Sequence, residues 1–327
     1  MDLKEKYSET KFILGLHNYI PVCPEVFYFK LPEQKVCTGI INGADCSKCI
    51  ECKGEHLKDD LGWRIYSTNH KNHPKEWSEA MGFENLETTI VKNEYQEYHN
   101  RFVSFLSKMD YCLAVSQRVS EIFINNGFNK DNIRVSYIGT LVADYQRRKP
   151  INYDHDTLKI VYLGYANIYE KGFSFFFDCL KNLEHECASK IEVRIAAIGS
   201  KKFDYTLLDK FKKVTVTEGY SHADLPDILK ESNLGIIPVL WEDNLPQVAL
   251  EMIANGVPIL ASDLGGASEL CESDLFKFKG GDIEDFNNHI KHFLNNPLDL
   301  ESYWEYHHGL TTMAMHMEDM KKYLFHD

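Results

Sequence analysis

From Leu158 to about Leu294 the chain alternates apolar, β-rich runs with helix-length segments. The runs are Lys159–Leu163, Glu192–Ile198, Val214–Val216, Leu234–Leu240 and Pro258–Ala261. Between them lie Gly172–Leu183, Tyr205–Lys212, His222–Glu231 and Pro246–Ala254, each long enough for a helix. Strands that are apolar on both faces must be covered on both faces, and helical crossovers provide that cover only around a parallel sheet. The stretch therefore predicts one complete doubly wound α/β domain, with one or two further helices in Leu298–Leu324.

The first 150 residues are less regular. Lys11–Leu16 (KFILGL), Tyr111–Val115 and Asn132–Ile138 read as strands, and Leu86–Lys108 and Gln117–Asn126 as helices. This is again β/α alternation, but with three strands, fewer than an independent open sheet usually holds. The polar, proline-containing Arg147–Tyr153 reads as a linker. The expected organisation is an incomplete Rossmann-like domain with a cysteine-rich loop in 1–150, a complete one in 151–297 and helical structure in 298–327.

With 36 basic against 49 acidic residues the formal charge is −13, which argues against a nucleic-acid groove. The apolar runs are strand-sized and far too short to cross a bilayer, and the charged N-terminus lacks a signal-peptide core. A cytoplasmic location is expected. Nine cysteines, an odd number in a chain without an export signal, argue against a disulfide framework. Cys112, Cys179, Cys187 and Cys271 sit in apolar or helical contexts and read as buried thiols.

The richest segment is Trp241–Glu269 (WEDNLPQVALEMIANGVPILASDLGGASE). Asp243 and Asn244 are helix-capping types and Pro246 suits a first helical turn. Free N–H groups and the helix dipole at such an end favour a bound diphosphate. Glu251 lies about two turns further on, where it can accept hydrogen bonds from ribose hydroxyls. Taken alone, this pair reads equally as a capping Asp and a solvated helix Glu. Its place after a parallel strand favours a ligand role, because such sheets bind ligands at their carboxyl ends. The small residues of Asp263–Gly266 then let backbone approach a ligand.

The combination Asp243-x7-Glu251, Gly256-Val-Pro258 and Gly265-Gly266-Ala-Ser-Glu269 resembles the nucleotide-sugar signature of family-4 retaining glycosyltransferases of the GT-B fold. Val161-Tyr-Leu-Gly164 followed by Lys171-Gly172 resembles the opening strand of that family's nucleotide domain. The resemblance implies two Rossmann-like doubly wound domains, the N-terminal one incomplete here. It implies donor contacts by Gly164, Lys171, Tyr220, Leu245, Pro246, Gln247 and Glu251. Lys171 would stabilise the departing diphosphate as a fixed cation; by itself it is also an ordinary helix-start lysine. Many members have arginine where this chain has Tyr165, so a second cation would have to come from Lys201 or Lys202. Gly15-Leu-His17 resembles the end of an acceptor-domain strand, which makes His17 a catalytic candidate alongside Asp243 and Lys171; a loop histidine is the plain alternative.

In such enzymes several strand–helix units precede the strand that ends at His17, and about ten residues do so here. A truncated, fragmentary or split enzyme is the corresponding expectation, with an exposed sheet edge that favours self-association or a partner. Cys37, Cys46, Cys49 and Cys52 form C-x8-C-x2-C-x2-C with Cys23 upstream, a candidate structural zinc site that His70 and His73 flank. Free or redox-labile thiols are the alternative. No metal is expected to be required for catalysis.

The leading expectation is retaining transfer of a sugar from a nucleotide-diphosphate sugar to a glycan or lipid-linked acceptor, as in surface polysaccharide biosynthesis, by a cytoplasmic protein that can act peripherally at the inner face of a membrane. A non-catalytic or partner-dependent nucleotide-sugar-binding subunit is the second reading. A GT-B-fold sugar-nucleotide epimerase is the third, disfavoured by the Lys-Gly and carboxylate-x7-Glu combination.

Overall fold

The computed structural model describes residues 4, 6–23, 27–30, 34–37, 39, 46, 92–144 and 157–325. The chain divides into two compact units, one of residues 1–12, 18–110 and 122–132, the other of residues 13–17, 111–121 and 133–327.

Strand β1 (Ile13–Leu16) belongs to the second unit; in the first, β2 (Phe29–Lys30) and β3 (Lys35–Val36) form a short antiparallel pair, and helix α1 (Lys92–Leu106) follows. Aromatic packing makes its core. The ring of Tyr19 lies 5.4 Å from Tyr28 and 6.3 Å from Phe123, and Phe123 lies 5.2 Å from Phe128.

The second unit contains two parallel sheets. The smaller has the order β1–β4–β5, with β4 at Tyr111–Ala114 and β5 at Ile133–Val135. Helix α2 (Gln117–Asn125) leaves β4, and the short α3 (Leu141–Asp144) follows β5. These are the three strands expected from the sequence, in one sheet.

The larger sheet is built from β6 (Leu158–Tyr165), β7 (Ile191–Ile198), β8 (Lys213–Thr217), β9 (Leu234–Ile237), β10 (Ile259–Ser262) and β11 (Lys277–Phe278), in the order β11–β10–β9–β6–β7–β8. Every described pairing in it is parallel. Counted from β6, that is the 3-2-1-4-5-6 order of a doubly wound dinucleotide-type sheet, in which direction reverses between the first and fourth strands. All residues of β9 and β10 are buried, as two-face coverage demands, whereas the edge strand β8 (KVTVT) has no fully buried residue. The expected strands appear with shifts of a few residues. The run Leu234–Leu240 leaves the sheet at Ile237, and β11, two residues long, has no periodicity that sequence reading can detect.

Helices α4 (Phe173–Asn182), α5 (His185–Ala188), α6 (Leu225–Leu229), α7 (Gln247–Ala254) and α8 (Ile283–Asn295) accompany the sheet. Helix α4 (FSFFFDCLKN) is apolar over most of its circumference, the mark of a buried helix. Phe173 and Phe176 meet Tyr162 of β6 at 4.9 and 5.7 Å, and Phe175 stacks on Phe278 of β11 at 5.9 Å. The expected helix Tyr205–Lys212 is instead a 3-10 turn over Tyr205–Leu208, started by the Asp204 carboxylate accepting from the Thr206 N–H. Beyond lie α9 (Tyr303–Tyr306) and α10 (Met313–Phe325).

The expected linker at 147–153 and the cysteines Cys49 and Cys52 lie outside the described residues.

Candidate functional site

A reversal of strand order opens a crevice at the carboxyl ends of the two strands concerned, and ligands of open α/β sheets bind there. In this sheet the two strands are β6 and β9. Gly164 and Tyr165 end the first; Pro238 to Pro246 follow the second.

The loop after β6 closes in a 3-10 turn, Tyr169–Lys171, that ends on Gly172 at φ 74. A side chain there is ruled out twice over. The backbone is left-handed, and a Cβ would sit 1.7 Å from the carbonyl oxygen of Pro238. The Lys-Gly pair thus lets the turn press against the exit of β9, and the Leu240 N–H donates to the Glu170 carbonyl at 2.9 Å. Lys171 then reaches across: its Nζ lies 2.6 Å from Oδ2 of Asp243 and 5.0 Å from the centre of the Trp241 ring. The Asp243 side chain is 7% exposed and that of Lys171 29%.

The Asp243 loop is seated on the turn after β10. A Cβ on Gly265, itself at φ 65, would stand 2.3 Å from the Asp243 carbonyl oxygen. The Gly266 N–H donates to that carbonyl at 2.7 Å, and the Gly265 N–H to Oε2 of Glu242 at 2.8 Å. The sequence suggests that the two glycines admit a ligand; in the structure the backbone they admit is that of Asp243 and Asn244.

Helix α7 begins at Gln247, with Pro246 as its N-cap (φ −68, ψ 122) and no side chain capping it. Pro246 was expected inside the first turn, one position further into the helix than it stands, and Asp243 and Asn244 were expected as caps. Both are otherwise engaged: Asp243 with Lys171, and Asn244 through its amide, which donates to the His17 carbonyl at 2.6 Å. Leu245, Pro246 and Gln247 form the approach to the helix, and Val248 lies 3.9 Å from the position a Cβ would take on Gly164.

Glu251, about one turn into α7, is 2% exposed. Burial pushes its carboxyl above the ordinary value of 4.5, while His222 and Tyr220 pull it back. The Tyr220 hydroxyl lies 3.3 Å from Oε2 and the His222 Nε2 3.2 Å from Oε1. Beside Glu251 and under burial, the Tyr220 phenol is itself pushed up. Tyr165 stands 45% exposed at the end of β6.

The structure therefore brings Gly164, Lys171, Tyr220, Asp243, Leu245, Pro246, Gln247 and Glu251 to one edge of the sheet. His17 reaches that edge by its backbone; its exposed ring folds back over Gly15 at 2.8 Å from where a Cβ there would stand. Among the described residues no group of three or more His, Cys, Asp or Glu side chains is placed to hold a metal ion.

A family profile described as "Glycosyl transferases group 1" matches residues 157–296, the span that carries all of this except His17. This stretch is similar to the group 1 glycosyl transferases.

The chain is also similar to an Escherichia coli UDP-Gal:alpha-D-GlcNAc-diphosphoundecaprenol alpha-1,3-galactosyltransferase, with 34% identity over 89 residues, which is 27% of this chain and 22% of the relative. HepE from Anabaena, solved with UDP and glucose, shares 18% identity and a TM-score of 0.50 over 70% of this chain and 63% of its own. A glycosyltransferase from Rickettsia africae shares 17% identity and a TM-score of 0.55 over 73% and 69%. The two structural likenesses show a GT-B-like fold over the roughly 70% of the chain that they cover. The chain spans less than two thirds of the length of the galactosyltransferase and of HepE.

Sequence reading missed the contacts of four polar residues in this region. His222 was read as the first residue of a helix-length segment and Asn244 as a cap. Arg118 and Glu242 drew no attention: their guanidinium and carboxylate join at 2.5 and 2.9 Å, with Glu242 1% exposed. The adjacency of Glu242 to Asp243 was the only signal available, since the partner lies 124 residues away.

Proposed function

We propose that the chain is a retaining glycosyltransferase that moves a sugar from a nucleotide-diphosphate sugar to a glycan or lipid-linked acceptor. The observation that carries this reading is the Lys171–Asp243 pair at the switch point, with Glu251 buried on the same edge. A cation held ready beside the start of a helix can take up the charge of a departing diphosphate without reorganising. Glu251 then serves the ribose, and Asp243 and His17 the sugar. Gly164, Tyr220, Leu245, Pro246 and Gln247 complete the donor surface. Residues 1–150 would supply the acceptor side and 151–297 the donor side.

The relatives support a uridine nucleotide and a lipid diphosphate acceptor: HepE was solved with UDP, and the galactosyltransferase is named for UDP-Gal and a diphosphoundecaprenol-linked sugar. No described helix is long and apolar enough to cross a membrane, which suits a protein working peripherally at the cytoplasmic face. No metal is proposed for catalysis; a zinc on Cys37, Cys46, Cys49 and Cys52 remains a proposal for the loop, as does self-association or a partner for the small sheet.

The test is incubation of the full chain with radiolabelled UDP-galactose, UDP-glucose or UDP-GlcNAc and a prenyl-diphosphate-linked GlcNAc. An α-linked product from one donor is expected. Tyr165, exposed where arginine is common in the family, favours a second reading, a nucleotide-sugar-binding subunit without transfer. UDP binding without product from any donor would establish that reading; epimerised donor would establish the epimerase.

A further inference from the structure

The loop that carries Asp243 has no regular structure between Ile237 and Gln247, yet its position decides where the carboxylate stands. We infer that Arg118 is a positioning residue for Asp243, holding the loop through the buried neighbour Glu242. The inference rests on the donor-site reading above and adds to it a residue outside the matched family span.

Arg118 Nη2 meets Glu242 Oε1 at 2.5 Å and its Nε meets Oε2 at 2.9 Å, a two-pronged contact in which the planar guanidinium fixes both distance and orientation. The same Oε2 accepts the Gly265 N–H at 2.8 Å. Arg118, Glu242 and the Gly265 amide are thus one network, and the residue next to Glu242 is the one paired with Lys171. Arg118 is itself anchored. Its backbone N–H and that of Gln117 donate to the Glu269 carboxylate at 2.6 and 3.0 Å, and the Tyr137 hydroxyl donates to the same carboxylate at 2.8 Å. Glu121 lies on the outer side of the guanidinium at 3.5 Å.

A carboxylate 1% exposed requires a counter-charge. Without Arg118, Glu242 gains by swinging out to water, and the adjacent Asp243 moves with it. Neutralising Glu242 as well removes that drive. The pair Arg118→Gln and Arg118→Gln/Glu242→Gln therefore separates holding a charge from touching a substrate.

Two readouts serve. One is amide hydrogen exchange of the peptide containing Gly265 and Gly266, whose N–H groups bond Glu242 and the Asp243 carbonyl. The other is steady-state transfer, with UDP titrated by calorimetry to count folded sites. Expected for Arg118→Gln are faster exchange at that peptide, full UDP stoichiometry, an unchanged donor KM and a kcat lower by roughly 10- to 100-fold, the scale of a misplacement of about 1 Å. Expected for the double variant is recovery of both exchange and kcat to within about threefold of wild type. Wild-type exchange in Arg118→Gln, or a double variant as fast-exchanging as the single one, overturns the inference. A double variant that exchanges normally but stays as slow as the single one also overturns it, by assigning Arg118 to the substrate. If the wild-type chain binds UDP but transfers nothing, the transferase reading falls, and exchange alone decides whether Arg118 holds the loop.

Discussion

Lys171 and Asp243 meet at 2.6 Å although they leave different strands, β6 and β9, on either side of the point where strand order reverses. The contact is asymmetric. Asp243 is nearly buried, while Lys171 keeps 29% of its side-chain surface in water. Removing the lysine leaves a buried carboxylate without its partner; removing the carboxylate leaves an ammonium that water can serve. Lys171→Met is therefore expected to destabilise the fold more than Asp243→Asn, by about 1–3 kcal/mol against less than about 1, and so to lower Tm further. Both should reduce transfer by at least about 100-fold. Thermal melts of the two variants side by side check the order, and an equal loss would mean that the pair is not desolvated as described.

Gly265 gives a second, purely steric expectation. Alanine there would need a left-handed backbone and would place Cβ 2.3 Å from the Asp243 carbonyl oxygen. Gly281 has a similar φ of 80 but its nearest neighbour, Leu240, is an ordinary 3.9 Å away. Gly281→Ala should cost about 1–2 kcal/mol from backbone strain alone. Gly265→Ala should cost about 1–3 kcal/mol more, because the Asp243 loop must also move, and it alone of the two should depress transfer. Denaturant midpoints with activities at saturating donor distinguish the two.

Glu269 carries a third. Its carboxylate caps the first turn of α2 from 151 residues away, accepting from the N–H groups of Gln117 and Arg118, and binds the Tyr137 hydroxyl, whose own ionisation it opposes together with burial. Glu269→Ala should cost about 1–2 kcal/mol, the range for a lost helix cap. Tyr137→Phe should cost less, since it leaves the cap in place. A calorimetric melt that ranks them the other way would show that the hydroxyl rather than the cap fastens this turn.

What could be read in advance follows from range. The large sheet was legible because each two-face-buried strand is a continuous apolar word, and β9 and β10 are buried at every residue. A multi-part pattern along the chain singled out Asp243, Glu251 and Lys171; the structure pairs Lys171 with Asp243 and buries Glu251. Strand order was not, because it depends on which strand ends pack together. Neither was Glu269 as a cap, nor Arg118 as a partner for Glu242, since nothing local marks a hydrogen bond to a segment more than 100 residues away. The Gly-Gly turn shows a subtler limit. Sequence establishes that small residues are needed but not whose backbone they admit; here it is Asp243.

Glu251 sets function against stability. It is 2% exposed, and burial holds its carboxyl above 4.5 despite the hydrogen bonds from Tyr220 and His222. A carboxyl whose folded pKa exceeds its unfolded value keeps its proton in the folded chain where the unfolded chain has already lost it. Stability from this group is thus fullest below about 4.5 and declines as pH rises through the folded value; at neutral pH the folded chain carries a buried charge it would hold more easily in water. Glu251→Gln removes that charge and keeps an oxygen for Tyr220. Its Tm should exceed that of wild type at pH 7, and the gap should close as pH falls toward 4. If Glu251 binds the ribose diol, the same variant should lose UDP affinity at least about tenfold, since an amide offers one acceptor where the carboxylate offers two. Melts at pH 4, 5.5 and 7 with UDP calorimetry at pH 7 measure both effects. A variant no more stable than wild type at any pH would show that Tyr220 and His222 fully offset the burial.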